Sequence, residues 1–419
     1  MNAAVLTASV GIAADSVPIR DGDRRASRWF VHLCLVFSIC LQRFCIFVGG
    51  GAVYWCLFVF LAGLIWLLAT GRARIRPMRA VGFGVFGAAA LLSTVLAIAV
   101  PDPRIGGASL PSLASILLVY VGLIVVPGDR FDGSGVFDIL VRYIRLCAIL
   151  GLVQYGAQFA GWKAFAFLDL MPSLRPVLVE PLFNYHPVVS YGSSIMRSNG
   201  FFLVEPSIFS QLLVLGVVVD VFVRRDWRFL PLYGGAYLVT YAGTGLLALG
   251  IAGTLSVLIA PRSSPRLFGL GLGLALLAGL AAVAAPDIFA ALGGRATELN
   301  QSGSSGYARY VAQFELIDAF GGETRTLFGY GPGTLERANI SVAGSINAAL
   351  KLFFEYGILG LTAFAVFLVG ALWQRDIALV SLFLLVNFQF GGGYVLFMPF
   401  VVLSALLCIW SAPQPRPAR

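Results

Sequence analysis

Charge is the first thing this chain lacks. Only 12% of its 419 residues are Asp, Glu, Lys or Arg, while 59% are hydrophobic and the mean hydropathy is +0.88. A soluble domain carries about 25% charged residues. So few charges cannot cover a globule of this size, and lipid must be the solvent for most of it. Histidine is nearly missing as well. His32 and His186 are the only two and stand far apart, which argues against a histidine-based metal site. The six cysteines, Cys34, Cys40, Cys45, Cys56, Cys147 and Cys408, show no CxxC spacing and read as buried small hydrophobes. No Walker A pattern is present, which excludes P-loop ATPase chemistry. The glycine-rich run Gly329-Tyr330-Gly331-Pro332-Gly333 follows no strand and opens no βαβ unit, so it reads as a turn. The single Asp-x-Asp, Asp21-Gly22-Asp23, falls in the N-terminal tail and reads as coincidence rather than a metal pair.

What is abundant is apolar sequence cut into span-sized runs. A membrane helix needs about 20 apolar residues. Spans are expected near 29–48, 52–70, 80–100, 111–127, 141–161, 204–223, 229–243, 244–260, 267–286, 347–372, 377–391 and 394–411. The pair at 229–260 reads as two tilted short helices or one broken hairpin around Gly243-Thr244-Gly245. The net charge of +9 raises the question of nucleic acid, but the arginines sit in the gaps between apolar runs. These gaps hold Arg72, Arg74, Arg76 and Arg79, then Arg130, Arg142 and Arg145, then Arg224, Arg225 and Arg228, then Arg262 and Arg266, then Arg375. With the N-terminus inside, all of them fall inside, as the positive-inside rule requires. That pattern excludes nucleic acid as the partner. It predicts an all-α polytopic membrane protein with about twelve transmembrane helices. Residues 1–28 and 412–419 form cytoplasmic tails, and 29–411 is one membrane domain. The stretch 3–14 is weakly apolar with no basic residue before it, so it is not read as a signal peptide.

Two long segments then lie outside, 162–203 and 287–346. Within the second, Tyr307, Tyr310, Val311, Phe314, Ile317 and Phe320 recur at helical spacing and predict an amphipathic helix. Within the first, Arg197 shortly precedes Glu205-Pro206, and proline suits the first position of a helix. Glu205 is therefore expected at the outer mouth of the sixth span. There it serves either as a helix cap or ion-pair partner, or as a proton acceptor beside an arginine that holds phosphate. Arg309 opens the amphipathic helix, where it suits either substrate phosphate or lipid headgroups. Lys351 and Glu355 are four apart in the tenth span and are expected to neutralise each other. Gly357 and Gly360 would permit close helix packing. Arg43 in the first span either snorkels or faces a cavity.

Taken in order, these residues resemble the O-antigen polymerase and ligase superfamily. The resemblance runs through Arg197, Gly200 and Glu205-Pro206, then Thr244-Gly245-Leu246-Leu247, then Ser302-Gly303-Ser304-Ser305-Gly306-Tyr307-Ala308-Arg309. It continues through Leu327-Phe328-Gly329-Tyr330-Gly331-Pro332-Gly333, and Asn347 followed by Glu355-Tyr356-Gly357-Ile358-Leu359-Gly360-Leu361. Leu41-Gln42-Arg43 up to Gly51 is similar to the first spans of exopolysaccharide polymerases in that group. The resemblance implies a GT-C-like glycosyltransferase in the bacterial inner membrane, with its two long loops periplasmic. It implies no metal and no cofactor, and an undecaprenyl-diphosphate-linked oligosaccharide as substrate. Membrane lipid surrounds it, and a chain-length regulator and a flippase are implied as partners. Arg197 and Arg309 would hold the diphosphate and Glu205 would act as base. Arg43, Tyr307, Tyr330 and Asn347 would contact substrate. Ligases of the group carry a histidine in the large outer loop, often just before the asparagine. Here Ile346 stands there and the loop has no histidine, which favours polymerase over ligase. A lipid-linked oligosaccharide flippase is the alternative from another class, although no repeat relates the two halves of the chain.

Overall fold

A computed structural model of the chain describes residues 19–48, 51–103, 105–162, 172–179, 188–189, 193–259, 269, 271, 307, 323–338, 346–390 and 392–411. The described chain is mostly helical. Among the described residues, three helices are long and apolar enough to cross a membrane, Pro77–Ala99, Pro206–Arg224 and Ala348–Leu372. The first (α3) and the second (α6, Pro206–Val218, continued by a π-helical turn Val219–Arg224) both begin with proline, whose fixed φ suits a first turn. The third (α10, Ala348–Leu372) is capped by Asn347, whose side chain accepts from the Leu350 amide at 2.8 Å. α6 is the most enclosed, with 72% of its apolar window buried against 28% for α3. α3 instead turns Val81, Val85, Leu91, Val95 and Ile98 outward. An outward apolar face is costly in water and natural in lipid.

The other α-helices bounded within the described residues are α1 (Asp21–Leu35), α2 (Trp55–Ala69), α4 (Leu110–Val121), α5 (Val136–Ala157), α7 (Leu230–Leu238), α8 (Thr244–Ile259), α9 (Glu323–Phe328), α11 (Ala378–Asn387) and α12 (Met398–Cys408). α10 packs along α3, α11 along α8, and α6 against α5, α7 and α8.

Several expectations need correction. The chain is not all-α. The expected spans 29–48 and 52–70 are interrupted by an antiparallel hairpin, β1 (Cys45–Val48) with β2 (Gly51–Tyr54), Cys45 opposite Tyr54. Ile46, Phe47, Val48 and Val53 favour a strand, and the glycines between them disfavour a helix. A second ribbon pairs β3 (Ala73–Ile75) with β4 (Val125–Pro127), which ends the expected span 111–127 early. α1 begins at Asp21, so helix starts within the expected tail 1–28. Segments 229–243 and 244–260 are two separate helices, of which α7 has only nine residues. The last two expected spans are short. α11 has 10 residues and α12 has 11. At 1.5 Å per residue each reaches about 15 Å, half of a hydrocarbon core about 30 Å thick. The 3-10 turns Phe388–Phe390 and Gly392–Leu396 join them inside the bundle, where the Tyr120 hydroxyl donates to the Val395 carbonyl at 2.9 Å. The expected span 267–286 and most of the loop 287–346 lie outside the described residues.

The described arginine-rich gaps, around Arg72, Arg130 and Arg224, gather at one end of the bundle. Asp23, 6% exposed, takes Arg72 at 2.7 Å, and Arg130 approaches its other oxygen at 3.9 Å. The Asp-x-Asp motif thus supplies a structural anchor that ties α1 to two loops. Helix direction carries the segments before α6, before α10 and after α3 to the opposite end.

Candidate functional site

At that opposite end, the chain before α6 is held by three buried polar side chains. Gln154 of α5 supplies the first. Its Oε1 accepts from Ser198 Oγ at 2.9 Å, the Asn199 amide at 3.0 Å and the Phe201 amide at 3.3 Å. Its Nε2 donates to Asn199 Oδ1 at 2.9 Å. This wrapping allows two successive residues with positive φ, Gly200 at 71° and Phe201 at 70°. Glycine is required at the first, since a Cβ there would lie 2.8 Å from the Phe209 ring. Phe201 is unfavourable in this region and is tolerated because its neighbours fix the backbone.

Gln42 and Arg43, adjacent at the end of the first helical run, supply the other two. Gln42 Oε1 accepts from the Val204 amide at 3.2 Å. Arg43, only 2% exposed, donates Nε to the Phe202 carbonyl at 3.1 Å and Nη2 to the Leu203 carbonyl at 2.5 Å. Its own carbonyl accepts from the Val179 amide at 2.9 Å, and Phe44 bridges to Leu178. Arg43 therefore ties the end of the first helical run to two described pieces of the segment 162–203, namely 172–179 and 193–203.

Glu205 follows directly. It precedes Pro206 with extended backbone (φ −145°, ψ 152°), and its side chain makes no capping bond to the helix amides. It is half-buried and accepts from Ser207 Oγ at 2.8 Å. Among the described residues it forms no ion pair. The carboxylate stands at the N-terminal, positive end of the α6 dipole. Arg197 lies half-buried upstream and donates Nη2 to the Val189 carbonyl at 3.0 Å.

A second cluster forms where α10 breaks. Gly357 has φ 66° and ψ −172°, outside helical space. The glycine-rich turn docks on this break. The Tyr330 amide donates to the Phe354 carbonyl at 2.9 Å, and the Gly331 amide to the Glu355 carbonyl at 2.8 Å. Ser93 Oγ of α3 donates to the same Glu355 carbonyl at 2.8 Å. Gly329, Gly331 and Gly333 all have positive φ. Tyr330 stacks on Phe354 with ring centroids 4.8 Å apart, and the Arg325 guanidinium lies 5.2 Å from its ring centre. The Gly333 amide donates to Glu355 Oε1 at 3.0 Å. Lys351 stands 3.9 Å from Glu355 Oε1 and pairs more closely with Glu336, from the turn that follows the glycines. Burial would raise the Glu336 carboxyl, but the Lys351 ammonium outweighs it and holds the group below its ordinary value.

The sequence-selected residues thus separate into two groups. Arg43, Arg197 and Glu205 border the approach to α6. Tyr330 and Asn347 lie against the first turns of α10. Tyr307 is helical and half-buried, while Arg309 and the rest of its amphipathic segment lie outside the described residues. Gln154, Gln42 and Glu336 carry geometry that sequence reading did not assign to a site. A glutamine inside an apolar span was the available signal for Gln154. Glu336 gave none, because its partner Lys351 is 15 residues away. Among the described residues, no group of three or more His, Cys, Asp or Glu is arranged to hold a metal. No family model matches the chain, and no curated protein matches it.

Proposed function

We propose that this chain is a GT-C-like, metal-independent glycosyltransferase. In this reading it polymerises undecaprenyl-diphosphate-linked oligosaccharide units at the periplasmic face of a bacterial inner membrane. The topology that goes with it has about twelve crossings and both termini cytoplasmic. One observation carries the reading. Glu205 is a half-buried carboxylate, uncommitted to capping, on a backbone splinted by Gln42, Arg43 and Gln154. Such a group is poised to take a proton from an acceptor hydroxyl. The sugar oxygen then attacks the anomeric carbon of the donor chain, and the bond to the lipid diphosphate breaks. The diphosphate leaves with its negative charge met by Arg197 and Arg309.

Glu205→Gln, Arg197→Ala and Arg309→Ala should each stop polymer formation while single lipid-linked repeats accumulate in the outer leaflet. Normal polymer from all three stably expressed variants rejects the assignment. A flippase is the second reading, favoured by the break in α10 and by the half-length α11 and α12, since discontinuous helices are common in transporters. In that case the repeats accumulate in the inner leaflet.

A further inference from the structure

α6 and its π-helical turn connect the two ends of the bundle. Glu205 precedes its first residue, and Asp220 sits within its last turn. Asp220 is fully buried. Its two oxygens accept from Arg145 Nη2 at 2.9 and 3.1 Å, from Arg224 Nη1 at 2.5 Å and from the Tyr233 hydroxyl at 2.7 Å. Arg145 comes from α5 and Tyr233 from α7, so this one carboxylate joins three helices. Asp138 takes Arg224 Nε at 2.7 Å, and Asp226 lies 3.8 Å from Arg145 and takes Arg228 Nε at 3.0 Å, so three carboxylates meet three guanidinium groups. Gly216 permits the close approach, since a Cβ there would meet Ile144 at 2.9 Å and Tyr233 at 3.2 Å.

The rest of α6 is mostly Leu, Val, Ile and Phe, and near its start it meets α8 through hydroxyls: Ser210 Oγ lies 3.0 Å from Thr244 Oγ1, Thr244 Oγ1 donates to the Ser207 carbonyl at 3.2 Å, and the Gly245 amide donates to Ser210 Oγ at 3.2 Å. Aliphatic packing distinguishes weakly between neighbouring registers, because one methyl contact replaces another. A buried ion pair distinguishes strongly, because a shift by one residue leaves a charge without its partner. Polar groups in apolar surroundings are best attested in this role of fixing register.

We infer that Asp220, with Arg145, is a positioning residue that sets the axial and rotational register of α6 and so places the Glu205 carboxylate at the other end. The consequence for catalysis rests on the assignment of Glu205 above; the register itself does not.

The test uses the full chain in lipid nanodiscs, with Ser210→Cys and Thr244→Cys as a register probe. A disulfide between them tolerates only small departures in geometry, and mass spectrometry of the bridged peptide separates it from the native cysteines. Two backgrounds are compared with the parent, Asp220→Asn and the pair Arg145→Leu with Asp220→Leu. The pair leaves no buried charge alone and so is expected to keep the fold. Both should retain a cooperative unfolding transition and lose the cross-link. Without the probe cysteines, both should lose about 100-fold in kcat per folded molecule with KM for the donor unchanged; rates are normalised to the folded fraction, because loss of folded protein alone lowers apparent kcat at constant KM. A cross-link at the parental rate in the folded double variant overturns the inference, whatever its activity. Loss of the cross-link with unchanged kcat overturns it as well. If the cross-link is lost and the parent joins no glycan units, the glycosyltransferase reading fails while the register role stands.

Discussion

At the scale of single residues, Gln154 is the most heavily used side chain near the candidate base. Its carbonyl oxygen serves three donors in the segment Ser198 to Phe201, and its amide serves Asn199. Gln154→Leu keeps the volume roughly and removes all of these bonds, leaving the Asn199 and Phe201 amides buried without their acceptor. The expected cost is about 3 kcal/mol, read as a lowered midpoint in thermal unfolding, with polymer formation reduced in the fraction that stays folded. An unchanged midpoint would mean that the segment is held from elsewhere. Glu205 could be read from the sequence because a Glu-Pro step ahead of an apolar run marks a helix start. Arg43 could be read because a charge inside such a run is conspicuous. What Arg43 touches could not be read, since its carbonyl partners lie 159 and 160 residues away.

At the scale of elements, the break in α10 is the feature that departs most from the sequence pattern. Periodicity and hydropathy describe 347–372 as one apolar helix, with Gly357 and Gly360 as packing glycines. Instead, Gly357 leaves helical space, and the carbonyls next to it accept from the glycine-rich turn. Gly357→Ala should destabilise the protein by about 2 kcal/mol, because φ is positive and the new methyl would strike the Leu327 carbonyl. Gly370→Ala in the same helix supplies the opposite sign. Its surroundings are open and its φ is not positive, so it should stabilise by about 0.5–1 kcal/mol. Thermal unfolding of the two variants side by side checks both; equal effects would show that the break is not a constraint. The glycine run was legible as a turn, but nothing in its composition says that a helix 20-odd residues later opens to receive it. The same turn is closely approached by Ala97 of α3 and by Ala108, two residues ahead of α4, both against Gly331.

At the scale of the whole molecule, the two ends of the bundle differ in chemistry. One end collects arginines whose charges are partly met by Asp23, Asp132, Asp138, Asp220 and Asp226. The other collects turns, glycines and the candidate carboxylates. A cysteine placed at exposed Arg74 should react with a membrane-impermeant thiol reagent only from the cytoplasmic side, and one at exposed Arg337 only from the periplasmic side. Reversed labelling would invert the topology and remove Glu205 from the periplasmic face.

The amino-acid sequence by itself determined the apolar character of the chain and the placing of its arginines between apolar runs. Those follow from totals and spacings: how few charges there are, how long the apolar runs are, and where the arginines fall between them. The tertiary structure alone decided which runs are whole helices, which are halved, and which polar groups meet. A buried polar side chain takes its partner from whatever the fold brings within about 3 Å. For Arg43 and Gln154 those partners come from other elements of the chain, where no local pattern points to them; Asp220 and Glu355 add such partners, Arg145, Tyr233 and the Gly333 amide, to a neighbour four residues away.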